Sequence, residues 1–291
     1  MTGVFFFGMG YSSLATAKAI HELVSGDAWI AGTSRSEEGM ERLADSAYRM
    51  HLFDGSRPGP TLGPDLRAAS HVVISIPPGD EGDPVLAQHR GDLDAARGLE
   101  WIAYFSTVGV YGDFGGAWID ESAPTRPINR RSQQRVEAEE AWRAYAARRG
   151  VPLLILRLAG IYGPSRSSFD KLRDGTARRI IKPGQVFNRI HVADIGRITA
   201  LAAAKRLAGT FNLADTTPAP PQDLVEYAAN KLGVPVPPGI PFETAEMTPM
   251  ARSFYSDNKR VSSAAILAAL GTRLLYPDYR AGLDAIFEEH A

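Results

Sequence analysis

Residues 5–20, "FFFGMGYSSLATAKAI", combine an apolar run, two closely spaced glycines and a segment with helical spacing. The apolar run predicts a buried strand, and the segment from Tyr11 onward predicts a helix. Gly8 and Gly10 fall between the two, where a tight turn with close backbone approach requires residues without a Cβ atom. The helix would direct its free N–H groups and the positive end of its dipole at this turn. The stretch therefore predicts a strand–turn–helix unit that binds phosphate.

The rest of the chain repeats this alternation of short apolar runs and helix-length segments. Unalternated apolar runs of this length predict parallel strands that helices bury on both faces. The expected fold is α/β, a doubly wound parallel sheet. Strands are predicted over 4–8, 28–34, 48–54, 71–77, 99–107, 151–160 and 210–216, and helices over 11–25, 37–45, 84–97, 132–149 and 193–207.

The chain is also predicted to carry a small C-terminal substrate lobe. Proline and glycine cluster between short helical segments from about residue 162 onward, which is typical of a lobe laid over a sheet edge. Residues 1–161, with 185–216 returning to them, are predicted to form the Rossmann core. Residues 162–184 and 217–291 are predicted to form the substrate-binding lobe.

Composition limits the classes of ligand and the location. The 291 residues include 32 Lys and Arg against 33 Asp and Glu, so neither nucleic acid nor a membrane is expected as a partner, and a small molecule is. The absence of cysteine excludes disulfides and thiolate catalysis and fits a cytoplasmic location. The six histidines show neither H-x-H nor HExxH spacing, so no metal is expected. The apolar N-terminal run is too short to cross a bilayer.

The glycine turn predicts dinucleotide binding, with an ordinary glycine-rich turn as the alternative. The spacing is that of the G-x-G-x-x-G fingerprint, with Ser13 in the third position. A serine there is small enough for helix–strand packing and could itself donate to a phosphate. The remaining residues assigned to this part of the cofactor site are Tyr11, Ser12, Ile76 and Pro77.

The end of the second predicted strand, "GTSRS" (32–36), selects between the two nicotinamide cofactors. This place usually carries an acid that binds the ribose 2′-hydroxyl, whereas Thr33, Ser34 and Arg35 match a 2′-phosphate. NADP(H) is therefore expected in preference to NAD(H). The alternative is that Arg35 is a solvated charge and Ser36 caps the next helix. Asp54, after the third strand, is either a contact to the adenine amino group or a turn aspartate.

With these residues in place, the chain resembles the extended short-chain dehydrogenase/reductase family, and within it the atypical NAD-dependent epimerase/dehydratase-like proteins. The motifs "GMGYSS", "STVGVYGD", "RLAGIYGP", "NRIHVADIG" and "FNLAD" follow the order and spacing of that family over nearly the whole chain. The resemblance implies a Rossmann domain, a bound nicotinamide cofactor, a C-terminal lobe that supplies the substrate pocket, and a homodimer.

The resemblance also implies a catalytic site, from which this chain departs. Typical members use a Ser or Thr four residues before the tyrosine of "VYG", a position that Thr107 occupies. They also use a later tyrosine as proton donor or acceptor and a lysine four residues beyond it, which lowers the pKa of that tyrosine and binds the ribose. Tyr111 and Tyr162 are the phenols that could substitute as general acid, and Tyr111 is kept as a catalytic candidate. Both recur in the family without being the general acid, so structural use is the favoured interpretation.

The later tyrosine and lysine have no equivalent in "PINRRSQQRVEAEE". One alignment places Arg131 and Arg135 at their positions, and another places Asn129 and Gln133 there. An arginine stays protonated and an amide does not titrate, so none of these replaces a phenol as general acid. A guanidinium could bind an anionic substrate group or stabilise developing negative charge. The alternative is a solvated helix face on which Arg135 pairs with Glu139 at i, i+4.

Other charged segments have a structural interpretation beside the functional one. Asp120 and Glu121 resemble the acid–base pair of dehydratases, but "DESAPTRP" favours a turn. Asp194 is expected as a cap. The basic segment "KLRDGTARRIIKPG" (171–184) is either an anion site or a charged surface loop. The sequence thus favours an NADP(H)-dependent oxidoreductase or epimerase-like enzyme, with a catalytically silent NADP(H)-binding sensor as the alternative.

Overall fold

The computed structural model describes residues 3–23 and 28–289 of the chain. Its strands are β1 (Gly3–Phe7), β2 (Trp29–Ser34), β3 (Arg49–Leu52), β4 (His71–Ile74), β5 (Trp101–Thr107), β6 (Trp118–Ile119), β7 (Leu153–Leu158), β8 (Gly160–Tyr162), β9 (Arg179–Ile181), β10 (Arg189–His191), β11 (Gly209–Leu213), β12 (Gly239–Pro241) and β13 (Arg260–Val261). Its helices are α1 (Tyr11–Leu23), α2 (Glu37–Glu41), α3 (Gly63–Ala68), α4 (Pro84–Ala95), α5 (Arg130–Arg149), α6 (Ser168–Arg173), α7 (Val192–Lys205), α8 (Pro221–Leu232), α9 (Pro249–Ser253), α10 (Ala264–Leu270) and α11 (Tyr279–Glu288).

The central sheet has seven strands in the order β11-β7-β5-β4-β1-β2-β3. The strands from β3 to β5 pair in parallel. Every residue of β1 and of β4 is buried, as expected for parallel strands that crossover helices cover on both faces. The predicted doubly wound α/β fold is confirmed.

The winding direction reverses between β1 and β4. From β1 the chain proceeds outward to β2 and β3, then returns to β4 and continues through β5, β7 and β11 on the other side. Open α/β sheets bind ligands in the crevice beyond the carboxyl ends of the strands at such a reversal. Gly8 follows β1 and Ser75 follows β4, and Ser75 Oγ donates to Gly8 O at 2.8 Å. The glycine turn after β1 therefore lies at this reversal.

The chain divides into two compact units. The first comprises Met1–Val110, Asn129–Arg157 and Ile195–Phe211, and the second comprises Tyr111–Ile128, Leu158–Asp194 and Asn212–Ala291. The core of the first unit packs the apolar residues of β1, β4 and β5 against Trp142 and Tyr145 of α5. The second unit contains the short parallel pairs β8–β10, β9–β12 and β6–β13, and a core that includes Tyr162, Phe169 and Leu283.

Some elements differ from the sequence prediction. The predicted strand over 151–160 is interrupted at Ala159, whose N–H donates to Leu213 O, so β8 forms a separate pair with β10. Helix α3 was not predicted, because "RPGPTLGPDLRA" (57–68) contains three prolines and two glycines and is typical of a loop. The predicted helix over 11–25 is present as far as Leu23, and residues 24–25 lie outside the described residues.

Candidate functional site

Gly8 fixes the start of the predicted phosphate loop. Its φ of +89° lies in the left-handed region that favours glycine. A Cβ atom here would lie 2.6 Å from Ile76 Cγ2, so the turn and the close approach both require glycine. Gly8 N donates to Thr33 Oγ1 at 2.8 Å, and Met9 N donates to Thr33 O at 2.7 Å. The loop is therefore bound to the end of β2 and packs against the segment after β4.

Gly10 has quite different surroundings. It is exposed directly before the first residue of α1. A Cβ atom at Gly10 would meet no atom of the described residues within 4 Å. Packing within the protein therefore does not require glycine at this position, whereas close approach of a pyrophosphate to the backbone does. The open space in front of a helix N-terminus fits a dinucleotide pyrophosphate.

Ser13 connects α1 to the end of β4. It is buried, and its Oγ donates to Ser75 Oγ at 2.9 Å. Its hydroxyl is thus used in the helix–strand packing that the third glycine of the fingerprint usually provides. Tyr11 and Ser12 are half-buried at the start of α1, and Pro77 is exposed after β4. Sequence reasoning missed Ser75, which a hydroxyl residue directly after an apolar run could have indicated.

The end of β2 carries hydroxyl groups and a guanidinium. Thr33 is fully buried and its hydroxyl accepts from Gly8, so Thr33 braces the loop. Ser34 Oγ donates to Ser36 O at 3.0 Å. Ser36 caps α2, because its hydroxyl accepts a backbone N–H of the first turn. Arg35 is exposed and makes no ion pair with the described residues, so its guanidinium is accessible to a ligand.

Asp54 is exposed at the start of the loop after β3. Its Oδ1 accepts from Ser56 N at 2.9 Å and from Ser56 Oγ at 2.8 Å, which forms a side-chain turn. These hydrogen bonds hold the pKa of Asp54 below its ordinary value. Asp54 is therefore a turn aspartate, and its ionised carboxylate retains the capacity to accept a further hydrogen bond.

Thr107 and Tyr111 lie in different units. Thr107 ends β5, is half-buried, and accepts from Gly109 N through its Oγ1 at 3.1 Å. A hydroxyl that accepts one hydrogen bond retains its own proton to donate, so Thr107 can orient a substrate oxygen. Tyr111 is fully buried in the second unit, where its OH donates to Asn212 Oδ1 at 2.8 Å. That hydrogen bond occupies the phenol of Tyr111 within the second unit.

Arg131 and Arg135 lie one turn apart on α5. Arg131 is exposed and Arg135 is half-buried. Arg135 Nη1 donates to Phe105 O at 2.7 Å and to Tyr104 OH at 3.1 Å, which fixes the guanidinium beside β5. Arginine does not titrate at working pH. Burial raises the pKa of Tyr104 above its ordinary range, so this phenol does not release a proton at neutral pH.

Glu139 is the centre of a buried ion-pair cluster. Its fully buried carboxylate accepts from Ser106 Oγ at 2.6 Å, Arg157 Nη2 at 2.7 Å and Arg143 Nη2 at 3.0 Å. The predicted Arg135–Glu139 ion pair is therefore wrong. The i, i+4 rule considers a single helix, whereas Ser106 of β5 and Arg157 of β7 reach Glu139 from the sheet. The cluster anchors α5 to two strands of the sheet.

The second unit buries two titratable groups with unpaired atoms. Asp215 Oδ2 and His191 Nε2 have no hydrogen-bond partner among the described residues. Burial raises the pKa of Asp215 from 3.8 to about 7, although the neighbouring Arg189 opposes this shift. Burial lowers the pKa of His191 from 6.5 to about 4. In the folded protein near pH 6, Asp215 is therefore largely protonated and His191 largely neutral.

These two groups are expected to give opposite pH dependences of stability that offset each other. Between about pH 4 and 6.5 the folded state holds a proton on Asp215 that the unfolded state lacks, so stability falls as pH rises. Over the same range the unfolded state holds a proton on His191 that the folded state lacks, so stability rises with pH. Each contribution has a limiting slope of about 1.4 kcal/mol per pH unit.

Single substitutions are expected to separate the two contributions. With Asp215→Asn, the free energy of unfolding should rise more steeply with pH between 4.5 and 6.5 than in the unsubstituted protein, by roughly 1 kcal/mol per pH unit. With His191→Phe, the free energy of unfolding should instead fall as the pH rises over this range, by a similar amount per pH unit. Urea unfolding at several pH values measures both slopes. Equal slopes in both variants and the unsubstituted protein would contradict the assignment.

The other charged candidates of the second unit have partners within that unit. The carboxylate of the fully buried Asp194 accepts from Leu275 N at 2.7 Å and from Tyr276 N at 3.0 Å, so it holds the segment before α11. Asp120 accepts from Ser122 N at 2.9 Å, which confirms the predicted turn. Glu121 Oε1 accepts a backbone N–H of β11 at 2.7 Å.

Three of the five cations in the basic segment 171–184 also contact residues of the same unit. Arg178 donates to Glu246 O, Arg179 pairs with Glu226, and Lys182 donates to Tyr255 O. These contacts favour the surface-loop interpretation over an anion site. Among residues 3–23 and 28–289, no cluster of three His, Asp or Glu side chains could hold a metal ion. In the same ranges no helix is long and apolar enough to cross a membrane.

Comparisons with known proteins agree with this architecture. The model of the NAD dependent epimerase/dehydratase family matches residues 93–214. This part of the chain is similar to that family. A functionally unknown conserved protein from Silicibacter pomeroyi is 43% identical in sequence. Its structure superposes with a TM-score of 0.87, and the match covers 100% of this chain and 99% of that chain. No curated protein matches the chain.

More distant structures share the fold. The human epimerase family protein SDR39U1, solved with NADPH, is 16% identical, with 99% of each chain covered and a TM-score of 0.73. The UDP-glucuronic acid 4-epimerase from Bacillus cereus, solved in complex with NAD, is 17% identical, with 99% of this chain and 98% of that chain covered and a TM-score of 0.75. The predicted resemblance to extended short-chain dehydrogenases/reductases is confirmed.

Proposed function

We propose that this protein binds NADP(H) in preference to NAD(H) and acts as an oxidoreductase or epimerase-like enzyme on a small molecule, with nucleotide sugars as the first class to test. One observation carries the cofactor preference: the accessible guanidinium of Arg35 lies at the end of β2, where an acid would serve NAD(H). A guanidinium matches a 2′-phosphate in charge and in hydrogen-bond geometry. Structures of this fold were solved with NADPH and with NAD, so the preference rests on Arg35.

The same end of the sheet offers groups for the rest of the cofactor. The backbone at Gly10 and the first turn of α1 would hold the pyrophosphate. Asp54 would accept a hydrogen bond on the adenine side, and Ile76 and Pro77 would line the loop after β4. When bound, the cofactor supplies hydride chemistry at C4 of its nicotinamide.

The contacts of α5 favour one alignment of the missing tyrosine and lysine. Asn129 caps the helix by accepting from Ser132 N at 2.9 Å, and Gln133 donates to Glu137 on an exposed face. These roles leave neither amide directed at the sheet. Arg135, by contrast, reaches β5. In this proposal Arg135 therefore takes the position of the family's lysine, and Arg131 takes that of its tyrosine.

The side chains of this chain perform only part of the expected proton chemistry. Thr107 would orient the substrate oxygen through its hydroxyl. The fixed guanidinium of Arg135 would stabilise negative charge as it develops on that oxygen. Arg131, exposed at the start of α5, would bind an anionic substrate group. The proton itself would come from water or from a group that this proposal leaves unassigned.

A catalytically silent NADP(H) sensor is the second candidate. The observation that favours it is the lack of a suitable proton donor among the predicted catalytic residues, since Tyr111 is buried and bound to Asn212 and both arginines stay charged. A sensor needs only a surface whose conformation depends on the ligand. In both candidates the partner is a small molecule, the protein is cytoplasmic, and a homodimer is expected from the family.

Replacing Arg35 with Asp is expected to reverse the cofactor preference. The substitution removes the cation that pairs with the 2′-phosphate and places a carboxylate beside it. We expect the Kd for NADPH to rise by about 100-fold, because a charge-assisted contact is lost and a like-charge contact is gained. The Kd for NADH should change little or fall. Calorimetric titration with both nucleotides measures the two constants.

Arg42→Asp is the matched control for this substitution. Arg42 is an exposed arginine at the end of α2, so the change in net charge is the same. It should leave the ratio of the two Kd values unaltered. If Arg35→Asp also left the ratio of the Kd values for NADPH and NADH unchanged, the assignment of Arg35 to the 2′-phosphate would be wrong.

Absorbance at the nicotinamide band separates the enzyme from the sensor. The protein is mixed with NADPH, and separately with NADP⁺, in the presence of a panel of nucleotide sugars. Consumption or production of NADPH with one sugar would establish turnover. Tight binding of NADPH without turnover on any member of the panel would favour the sensor.

A further inference from the structure

One buried histidine binds the loop of residues 54–62 to α4. His89 Nε2 accepts a hydrogen bond from Gly59 N at 3.0 Å. The side chain of His89 is only 2% exposed, although its partner lies on a surface loop. A Cβ atom on Gly59 would lie 2.8 Å from Leu52 O, so the loop passes close to the end of β3. Asp54, the proposed contact on the adenine side, begins this loop.

The second nitrogen of His89 determines its protonation state. Nδ1 lies 3.0 Å from Asp92 Oδ2, a carboxylate that can only accept, so Nδ1 carries the hydrogen. Nε2 must then be the unprotonated acceptor of the Gly59 N–H, which makes the imidazole neutral. Asp92 also accepts from Arg67 of α3. Asp92 on the same helix is therefore a charged group that faces His89, and Arg67 faces it through Asp92.

His89 also supports the residues that precede both halves of the proposed cofactor site. Its ring centroid lies 4.9 Å from that of Phe53 and 5.9 Å from that of Phe7. Phe53 directly precedes Asp54, and Phe7 directly precedes Gly8. The backbone of His89 is non-helical (φ −127°, ψ 16°) inside α4. The helix thus departs from regular geometry at the residue that reaches these two loops.

We propose that His89 is a positioning residue for the adenine half of the dinucleotide, and that protonation of its Nε2 releases the loop of residues 54–62 and weakens cofactor binding in acid. The inference rests on the proposed function, because it assigns the adenine to this loop. A doubly protonated imidazole has two donors and no acceptor. Its Nε2–H would then point at the N–H of Gly59, and no hydrogen bond could form between the two groups. The loop would then lose the contact that holds Asp54 in place.

Two substitutions at position 89 separate positioning from simple packing. His89→Gln keeps an acceptor near the position of Nε2 but does not titrate. His89→Asn keeps a donor near the position of Nδ1 and loses the acceptor for Gly59. The probes are adenosine 2′,5′-bisphosphate for the adenine half, nicotinamide mononucleotide for the other half, and intact NADPH. Calorimetry between pH 5.5 and 8 covers the range in which histidines change charge.

At pH 8 His89→Asn is expected to raise the Kd for adenosine 2′,5′-bisphosphate and for NADPH by about tenfold, while the Kd for nicotinamide mononucleotide stays within twofold. His89→Gln should bind like the unsubstituted protein at pH 8. Because the 2′-phosphate itself titrates near pH 6, the decisive quantity is the difference between the two pH profiles. The unsubstituted protein should lose about tenfold more affinity toward pH 5.5 than His89→Gln.

His21→Gln is the matched control, since His21 is an exposed histidine on α1 of the same unit. It should keep the acid-dependent loss. If the Kd values of His89→Gln and of the unsubstituted protein changed identically with pH, the inference would be overturned. It would also be overturned if His89→Asn kept its affinity for both adenine-containing probes and its thermal unfolding midpoint.

Hydrogen exchange at Gly59 N tests the contact without cofactor. Relative to His89→Gln, the amide of Gly59 should lose protection in the unsubstituted protein as the pH falls. Equal protection in both proteins would overturn the release of the loop. If acid releases the Gly59 amide but the unsubstituted protein binds no dinucleotide at pH 8, the proposed function fails and the assignment of His89 to the cofactor fails with it, while the contact between His89 and the loop stands.

Discussion

A Gly10→Leu variant is expected to bind neither NADPH nor NADH detectably and yet to unfold with nearly the same free energy as the unsubstituted protein. A Cβ atom added at Gly10 would have no described atom within 4 Å. The backbone of Gly10 is also not left-handed, so it can accept a side chain. Leucine therefore meets little resistance from the protein but fills the space proposed for the pyrophosphate. We expect a loss of at least about 100-fold in affinity by calorimetry, with a change in unfolding free energy below about 1 kcal/mol.

Gly8→Ala is the contrasting control within the same loop. Alanine at position 8 combines a strained positive φ with a Cβ atom 2.6 Å from Ile76 Cγ2. It should lower the free energy of unfolding by about 1–3 kcal/mol before any ligand is added. If Gly10→Leu retained its affinity for the dinucleotides, the phosphate-loop assignment would be wrong.

The second large effect is expected from Glu139→Ala, which should lower the free energy of unfolding by about 3–5 kcal/mol. The substitution removes the carboxylate that accepts from the guanidinium of Arg157, a residue that is only 5% exposed. It also removes the acceptor of the Ser106 hydroxyl. Urea unfolding at neutral pH measures the change.

Glu140→Ala provides the comparison on the same helix. Glu140 is 68% exposed and pairs with Arg143, a contact of the kind that contributes little in water. Its removal should change the free energy of unfolding by less than about 0.5 kcal/mol. Equal effects of the two substitutions would show that the buried cluster does not stabilise the fold as described.

The fold could be predicted because its signals are local. The apolar runs that form β1, β4 and β5 are nearly continuous, so their burial on both faces is visible in a few residues of sequence. The turn at Gly8 is equally local, since the strand, the glycines and the helix are adjacent in the chain. Helix α3 was missed because its six residues follow a proline-rich segment whose turn signals dominate.

The candidate site could be predicted only in part, because its contacts join distant segments. Thr33 was expected to bind a 2′-phosphate, but its hydroxyl accepts from Gly8, 25 residues away in the chain. Glu139 of α5 was expected on a solvated face, but it is buried and forms an ion pair with Arg157 of β7. The contact between His89 and Gly59 spans 30 residues and has no sequence signature. Such pairings depend on which strands become neighbours.

The Glu139–Arg157 pair also restricts how the sequence can change over evolutionary time. Removing one partner of a buried ion pair is costly, whereas an apolar pair of similar volume can be as stable as the ion pair. A lineage could therefore exchange both residues together but would pass through a poorly folded intermediate if it exchanged them one at a time. The two positions are expected to behave as a single heritable unit, although one lies on a helix and the other on a strand.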